Sequence, residues 1–329
     1  MDQNTLYVFG DIHGDFNVLQ DLLTKVLKVA KFEKNIWTWI AKKTTVVCLG
    51  DFLDRYRVKN EYTLTTDDTI KAEHNIINCF KSLQEQAKPE KNDCAFIVLL
   101  GNHELASILQ IPDYFKYQVE NPDDVEERSR RVMFLRDHFL EFAESCGLAV
   151  QWGNYYMCHG GFDLKWLQRH KFKSLVEINK RFKDILISKR PDRLSIFLED
   201  DSIVLSRKMA FHTKEWRESD KSAIARILGE ELVPKFIVGH TTVHDILQFS
   251  LTDVSVPQCD ENSKTSILAV KDYFGQDDIY FVDVAMSRGF LPMEATDRDK
   301  FLRRPQALKF TIKLDDNFNI LYSNCETLG

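Results

Sequence analysis

Residues 5–14 read TLYVFGDIHG, an apolar run that ends in a glycine followed by two possible metal ligands, Asp11 and His13. Four more segments repeat this arrangement. The apolar runs are LYVF at 6–9, VVCL at 46–49, FIVLL at 96–100, YYMC at 155–158 and FIV at 236–238, and the motifs after them are GDIHG, GDFLDR, GNHE, HGG and GHT. Short runs of β-branched and aromatic residues predict buried strands. Each motif then lies at the carboxyl end of a strand, where α/β sheets gather active-site groups.

The side chains at these strand ends predict a metal site. They are Asp11, His13, Asp51, Asn102, His159 and His240. Asp11 and His13 can face one cation, Asp51 can bridge two cations, and the other three complete the second position. Mixed carboxylate, amide and imidazole donors favour Mn²⁺, Fe or Zn²⁺ over Mg²⁺ or Ca²⁺. We therefore expect two divalent metal ions, first Mn²⁺ and alternatively Fe or Zn²⁺, which would acidify a water held between them.

Three more motif residues are predicted to act on a substrate. His103 follows Asn102 in the chain, so we expect its side chain on the opposite side of the local backbone, where it can serve as a general acid. Asp54 can hold His103 in the required tautomer. Arg55 offers a planar fork for two phosphate oxygens.

Composition limits the class of protein. The chain has 329 residues, is 44% hydrophobic and carries a net charge of −6, which argues against a general nucleic-acid binder. Its seven cysteines have no paired spacing, so we expect reduced thiols rather than a disulfide framework. We find neither a signal peptide nor an apolar stretch long enough to span a membrane. The sequence therefore predicts a soluble, cytoplasmic protein with no membrane partner.

The stretches between the motifs alternate strand and helix at first and then become mainly helical. Apolar residues from Leu19 to Ala30 recur at helical spacing after Asp15, a predicted N-cap. The further predictions are a helix at about 70–86, interrupted helices at 105–147, mainly helical structure at 162–230, a hairpin at Gly153-Asn154, and strands with a final hairpin beyond 249. Because the motifs span residues 11 to 240, we expect one α/β domain, 1–329, with 105–147 as a helical insertion that caps the site.

The motif set GDIHG, GDFLDR, GNHE, HGG and GHT resembles the phosphoprotein phosphatase family of calcineurin-like metallophosphoesterases, over about residues 5–290. Two segments, DSIVLSR at 201–207 and IYFVDVAMS at 279–287, resemble the Shewanella-like members of that family. The resemblance implies a four-layer fold, a central β-sandwich flanked by helices, with a dinuclear metal centre. It also implies that Arg55, Arg207 and Asn102 bind the substrate phosphate.

Three functions follow from the residues and the resemblance. The first is a metal-dependent phosphomonoesterase, a protein serine/threonine phosphatase acting on phosphorylated proteins. In it a metal-bridging hydroxide attacks in line and His103 protonates the leaving oxygen. The second keeps the site and changes the substrate to phosphotyrosine, dinucleoside polyphosphates or phosphodiesters. The third is a non-catalytic scaffold, which the complete ligand set disfavours. A regulatory subunit is not predictable from the sequence.

Overall fold

Two five-stranded sheets form the centre of the computed structural model. It describes residues 3–55, 65–188, 190–212, 216–229, 234–241, 268–271, 277–283, 307–314 and 320–328. The strands are β1 Gln3–Phe9, β2 Ala30–Glu33, β3 Ile36–Trp39, β4 Thr44–Cys48, β5 Ala95–Val98, β6 Ala149–Trp152, β7 Tyr155–Cys158, β8 Lys235–Val238, β9 Leu268–Lys271, β10 Asp277–Phe281, β11 Ala307–Leu314 and β12 Ile320–Leu328. The segment IYFVDVAMS at 279–287, which resembles the Shewanella-like members, begins in β10. Its last four residues, after Asp283, lie outside the described residues.

The order of strands places the five motifs side by side at the carboxyl ends of parallel strands. The first sheet has the order β12-β11-β1-β4-β5, and the second has β6-β7-β8-β10-β9. Strands β1, β4 and β5 are parallel neighbours, with Phe9 opposite Cys48 and Cys48 opposite Val98. Strands β7 and β8 are also parallel, with Cys158 opposite Val238. Because parallel neighbours end at the same level, the loops after them meet.

The two sheets share one apolar core, which extends under the helices. The rings of Tyr155 on β7 and Phe310 on β11 lie 4.5 Å apart between centroids, joining the second sheet to the first. Phe52 packs its ring against Phe80 and Phe142 at 5.3 and 6.0 Å. Burying one such ring contributes about 1.5–3 kcal/mol. The predicted α/β fold, a β-sandwich flanked by helices, is confirmed.

The helices occupy the stretches between strands. The α-helices are α1 Phe16–Asp21, α2 Thr66–Gln86, α3 Pro89–Asn92, α4 Asn102–Leu109, α5 Val125–Phe134, α6 Leu140–Ser145, α7 Leu164–Arg169, α8 Leu175–Ile187, α9 Lys208–Phe211 and α10 Lys221–Leu228. 3₁₀ helices span Pro112–Tyr117 and Pro191–Leu198, and π-helical turns span Leu22–Val26, Leu135–Phe139 and Trp216–Asp220. Asp15 caps α1 as predicted, because its carboxylate accepts a hydrogen bond from Val18 N at 3.3 Å.

One predicted boundary is wrong. The helical spacing up to Ala30 predicted a helix, but the helical turns end at Val26 and Ala30 begins strand β2. Strands β2 and β3 form a small antiparallel hairpin that was not predicted. Its turn residues Lys34 and Asn35 have φ of 51° and 63°, the left-handed region that such tight hairpin turns require. Asn35 was the available signal, since asparagine tolerates that region better than most residues.

The remaining local predictions hold in the described residues. The hairpin at Gly153-Asn154 joins β6 to β7 in antiparallel register, and β11 pairs with β12. Helices interrupted near Pro112 and Pro122 fill 105–147, although the division into one domain with a capping insertion stays a prediction. Cys48, Cys79, Cys94, Cys146 and Cys158 are buried free thiols. In the part of the chain that the structure describes, every helix is too short or too polar to cross a bilayer.

Candidate active site

All six predicted metal ligands lie together at the ends of the two sheets. All six side chains are buried. The residues are Asp11 after β1, His13 in the same loop, Asp51 after β4, Asn102 after β5, His159 after β7 and His240 after β8. Two groups of donor atoms, one from His13, Asp51 and His103 and one from Asp51, His159 and His240, each lie within 4.8 Å of one another. Asp51 belongs to both groups, as expected of a residue that bridges two cations.

The carboxylate of Asp51 is the centre of this arrangement. Its Oδ2 lies 3.2 Å from His159 Nε2, and 3.9 Å from the Nε2 atoms of both His13 and His103. Within the described residues this oxygen is buried and accepts no hydrogen bond of good geometry. Burial raises the pKa of Asp51, but the imidazoles of His159 and His103 lower it well below its ordinary value. An ionised oxygen surrounded by nitrogen donors fits a divalent cation.

Backbone carbonyls set the tautomers of two histidines. The Nδ1 of His13 lies 3.2 Å from the Leu53 carbonyl, and the Nδ1 of His159 lies 3.2 Å from the Leu49 carbonyl. A carbonyl only accepts, so each Nδ1 carries the proton and each Nε2 presents a lone pair. This is the usual second contact of metal-binding imidazoles.

Asp11 and Asn102 complete the ring of donors. Asp11 approaches both histidines, with Oδ2 3.8 Å from His13 Nε2 and Oδ1 3.8 Å from His159 Nδ1. The amide oxygen of Asn102 lies 3.0 Å from His159 Nε2, and its Nδ2 donates to the Tyr114 hydroxyl at 3.0 Å. Tyr114 therefore turns the Asn102 oxygen towards the centre. The oxygens of Asp11 and Asn102 that face the Nε2 lone pairs of His13 and His159 fit a bound cation.

The loops that carry the ligands adopt strained backbone conformations. His13, Asp51, Asp54 and His240 all have positive φ, between 38° and 67°. Such residues cost on the order of 1–3 kcal/mol each and cluster at functional sites. Position 101, directly before Asn102, requires glycine because a Cβ there would overlap the Asp51 carboxylate.

Glu104, the last residue of GNHE, braces two of these loops, a role that the sequence did not reveal. Its buried carboxylate accepts backbone N–H bonds of 2.8–2.9 Å from Asp51, Phe52, Leu53 and Gly101. Burial and the neighbouring Asp51 raise the pKa of Glu104 well above its ordinary value, while the N–H groups of Leu53 and Gly101 oppose that rise. The available signal was an acidic residue at the third position of a helix that begins with a motif.

His103 and Asp54 form the predicted pair. His103 Nδ1 lies 2.7 Å from Asp54 Oδ2 in a fully buried contact. The expectation that His103 points away from Asn102 is wrong, because both residues line one pocket. They are the first residues of helix α4, where neighbours differ by only about 100° in direction, whereas alternation to opposite sides is a property of strands.

Among the described residues, the two predicted phosphate-binding arginines line different cavities. Arg207 lines a cavity of about 410 Å³ together with Asn102, His103 and His240. Arg55 lines a separate cavity of about 320 Å³, where Asp68 and Lys71 are its charged neighbours. Phosphate binding by Asn102, Arg207 and Arg55 stays a prediction. Tyr114 and Tyr117 were missed, although both rings contact His103, at 4.9 and 5.4 Å between centroids.

Comparisons with known proteins concern the family and the fold of the chain. Residues 5–243 match the sequence profile of the family described as calcineurin-like phosphoesterase. The cold-active protein-tyrosine phosphatase of a psychrophilic Shewanella species is 15% identical, with a TM-score of 0.60 over 99% of this chain and 80% of its own. A second structure of a cold-active protein tyrosine phosphatase is 14% identical, with a TM-score of 0.58 over 98% and 78% of the two chains. No curated protein matches the chain in sequence. At these identities the structures establish a shared fold alone.

Proposed function

Because the chain belongs to the calcineurin-like phosphoesterase family, we propose that it is a metal-dependent phosphomonoesterase acting on phosphorylated proteins, with phosphoserine and phosphothreonine as substrates. The observation that carries the proposal is the buried oxygen Asp51 Oδ2, which has the Nε2 atoms of two proposed ligands, His13 and His159, within 3.9 Å. Beside it stands a histidine already paired with a carboxylate. Metal ligands and a general acid in one cavity are the parts that hydrolysis of a phosphate ester requires.

The proposed ligand sets share Asp51. Asp11, His13 and Asp51 would hold one cation, and Asp51, Asn102, His159 and His240 the other. When bound, divalent cations supply Lewis acidity at the phosphate and lower the pKa of water. The donor set is compatible with Mn²⁺, Fe or Zn²⁺.

The protein's own groups handle the substrate and the proton. The Nδ1–H of His103 donates a hydrogen bond to Asp54 Oδ2, and the proton that would pass to the leaving oxygen is the Nε2–H of the imidazolium form, in the same cavity. Arg207, which lines the same cavity, would bind the phosphate oxygens. A phosphate contact by Arg55 stays a prediction.

The test is a panel of phosphoserine, phosphothreonine and phosphotyrosine peptides assayed with Mn²⁺, Fe²⁺, Zn²⁺ or a chelator. We expect turnover of the first two peptides that the chelator abolishes. Dinucleoside tetraphosphate and a bis-ester belong in the same panel, since turnover of these alone would replace the proposal with a diesterase. No turnover of any phosphate ester would leave only a scaffold.

His103→Asn tests the acid directly. With an alkoxide leaving group, as in a phosphoserine peptide, we expect kcat to fall roughly 10²–10⁴-fold with metals retained. An aryl phosphate should lose less, because a phenolate leaves without full protonation. Unchanged turnover of the phosphoserine peptide would refute the role of His103.

Phosphotyrosine is a second candidate substrate, because one observation favours it. The tyrosines at 114 and 117 line the cavity of His103 and Arg207, and Leu205 adds an apolar side chain. An aromatic leaving group can pack against such rings, a contact worth about 0.5–1.5 kcal/mol. If this candidate is correct, Tyr117→Ala will raise KM for the phosphotyrosine peptide more than for the phosphoserine peptide.

A further inference from the structure

A buried ion network lies directly behind the predicted acid. Glu73 on α2 and Arg131 on α5 both have fully buried side chains, as does Asp54. The guanidinium of Arg131 pairs through Nη1 with Glu73 and through Nη2 with Asp54 Oδ1, the latter at 3.2 Å. Charged side chains are almost never fully buried without a partner, and here the three buried charged groups are one another's partners.

The network closes into a ring around Asp54. Glu73 Oε2 accepts from Arg131, and Glu73 Oε1 accepts the backbone N–H of Asp54 at 2.8 Å. Asp54 is thus held at two points, its backbone nitrogen and one carboxylate oxygen. The ring also holds Asp54 at its positive φ of 67°, a conformation that the isolated chain would disfavour.

The oxygen of Asp54 that Arg131 does not contact is the one that meets the acid. Asp54 Oδ2 lies 2.7 Å from His103 Nδ1, and the Gln118 amide approaches the same oxygen at 3.4 Å. A carboxylate held at only one oxygen can rotate about its last side-chain bond. Fixing Oδ1 therefore fixes the plane in which Oδ2 receives the imidazole, and with it the direction of Nε2.

We infer that Arg131 is a positioning residue for proton transfer: acting through Asp54, with Glu73 as its anchor, it orients His103 towards the leaving group. This inference rests on the proposed phosphomonoesterase function. It also gives the helices between β5 and β6 a role in the reaction, because Arg131 reaches the site from α5, 77 positions along the chain from Asp54.

A purely structural role is the alternative. The network joins α2 to α5, so its loss would also weaken the packing of the two helices. That role predicts lower stability and an equal loss of activity on every substrate. Orientation of the acid predicts a loss that depends on how much protonation the leaving group needs.

The experiment compares Arg131→Gln with Arg130→Gln in the metal-loaded enzyme. Arg130 lies on the same helix but is exposed, and it pairs with Glu126 at 3.2 Å and with Asp67 at 3.5 Å. For Arg131→Gln we expect kcat on a phosphoserine peptide to fall about 10–100-fold, the usual range for residues that orient a site. KM should change little, p-nitrophenyl phosphate should lose much less, and Arg130→Gln should match the wild type.

The double variant with His103→Asn separates the two roles. If Arg131 acts through His103, Arg131→Gln causes no further loss of kcat once His103 is asparagine. Multiplied losses in the double variant, or equal losses on alkyl and aryl phosphates, would overturn the inference. Wild-type protein that turns over no phosphomonoester would instead overturn the proposed function, so the two failures are distinguishable.

Arg131→Lys provides the same test if Arg131→Gln does not fold. It keeps the positive charge but loses the two-point contact, because an ammonium is a compact donor without the fork. We expect a smaller fall in kcat with the same dependence on the leaving group and the same absence of further loss in the His103→Asn background. Equal losses on both classes of substrate would again overturn the inference.

Discussion

The loops of the first sheet and those of the second sheet hold their halves of the candidate site by different means. After β4 and β5, charged side chains hold the loops. Glu104 accepts hydrogen bonds from four backbone N–H groups, and Glu73 and Arg131 hold Asp54. After β7 and β8, backbone bonds predominate. Gly160 and Gly161 donate to the Ile203 carbonyl at 2.9 and 3.2 Å, and Gly239 donates to the His159 carbonyl at 2.8 Å.

The difference follows from what each half must present. The first half carries Asp11, Asp51 and Asp54, buried carboxylates that repel one another and, at Asp51 and Asp54, sit on strained backbone. Such loops need strong, directed acceptors and a compensating cation. The second half presents imidazoles, for which backbone contacts suffice. We infer that these side-chain contacts keep the carboxylates of the first half and the predicted acid, His103, aligned.

The largest expected effect comes from Asp51, which lies in the first half and is proposed to bridge both cations. Asp51→Ala should lose both metal ions and reduce turnover by more than the roughly 10²–10⁴-fold expected for loss of the acid. His240→Ala removes a donor from the second half only, so it should keep the first ion and lose the second. Metal content after dialysis, measured by mass spectrometry, checks both expectations. An Asp51→Ala protein that retains two ions would contradict the bridging assignment.

An intermediate effect is expected from the brace of the first half. In the wild type, backbone N–H groups donate to both Oε1 and Oε2 of Glu104. Glu104→Gln replaces one of these oxygens by an NH₂ group that cannot accept, so the loops that carry the candidate ligands lose part of their support. We expect kcat and metal affinity each to fall about 10–100-fold.

Asn179 supplies the matched control, since its amide makes three backbone hydrogen bonds, to Leu148 and Ala149 beside β6, away from the site. Asn179→Ala should lower the free energy of unfolding by about 1–3 kcal/mol with kcat unchanged. Similar losses of kcat in both variants would remove the distinction between the halves.

The smallest effect concerns the segment that carries Arg207. Lys208 Nζ pairs with Asp220 at 2.8 Å. Burial raises the pKa of Asp220, but hydrogen bonds from Lys208 and Ser219 lower it below its ordinary value overall. The carboxylate therefore stabilises the fold at neutral pH, and that contribution is lost as pH falls through the lowered pKa.

Asp220→Asn should reduce the free energy of unfolding by about 1–3 kcal/mol at pH 7. The difference from the wild type should shrink as the pH falls below about 4, where Asp begins to protonate even in the unfolded chain. Denaturant unfolding at several pH values measures it. A difference that stays constant with pH would show that the charge of Asp220 contributes nothing.

The chain's local patterns predicted much of this architecture. The five apolar runs and their motifs predicted β1, β4, β5, β7 and β8 and the six donors that meet after them, because a buried strand fixes where the next residue lies. The pairing of Asp54 with His103 also followed from the motifs. The small hairpin of β2 and β3 was missed, since apolar spacing up to Ala30 fits a helix as well as the actual turn and strand.

The buried charges were beyond such patterns. Glu73 and Arg131, 58 positions apart, lie on amphipathic helices where a charged residue is ordinarily taken for a solvent-facing one. Arg55 and Arg207, both predicted to bind the substrate phosphate, line different cavities among the described residues, which the sequence did not indicate.

The amino-acid order alone determined which residues end each strand and hence which residues are the candidate metal donors and the predicted acid, because strand formation and tight turns depend on neighbours in the chain. Only the tertiary structure decided which charges are buried, which side chains brace the loops and how Arg131 reaches Asp54. Those contacts join helices and loops distant in sequence, and their energies depend on desolvation and mutual orientation, which exist only after the elements have packed.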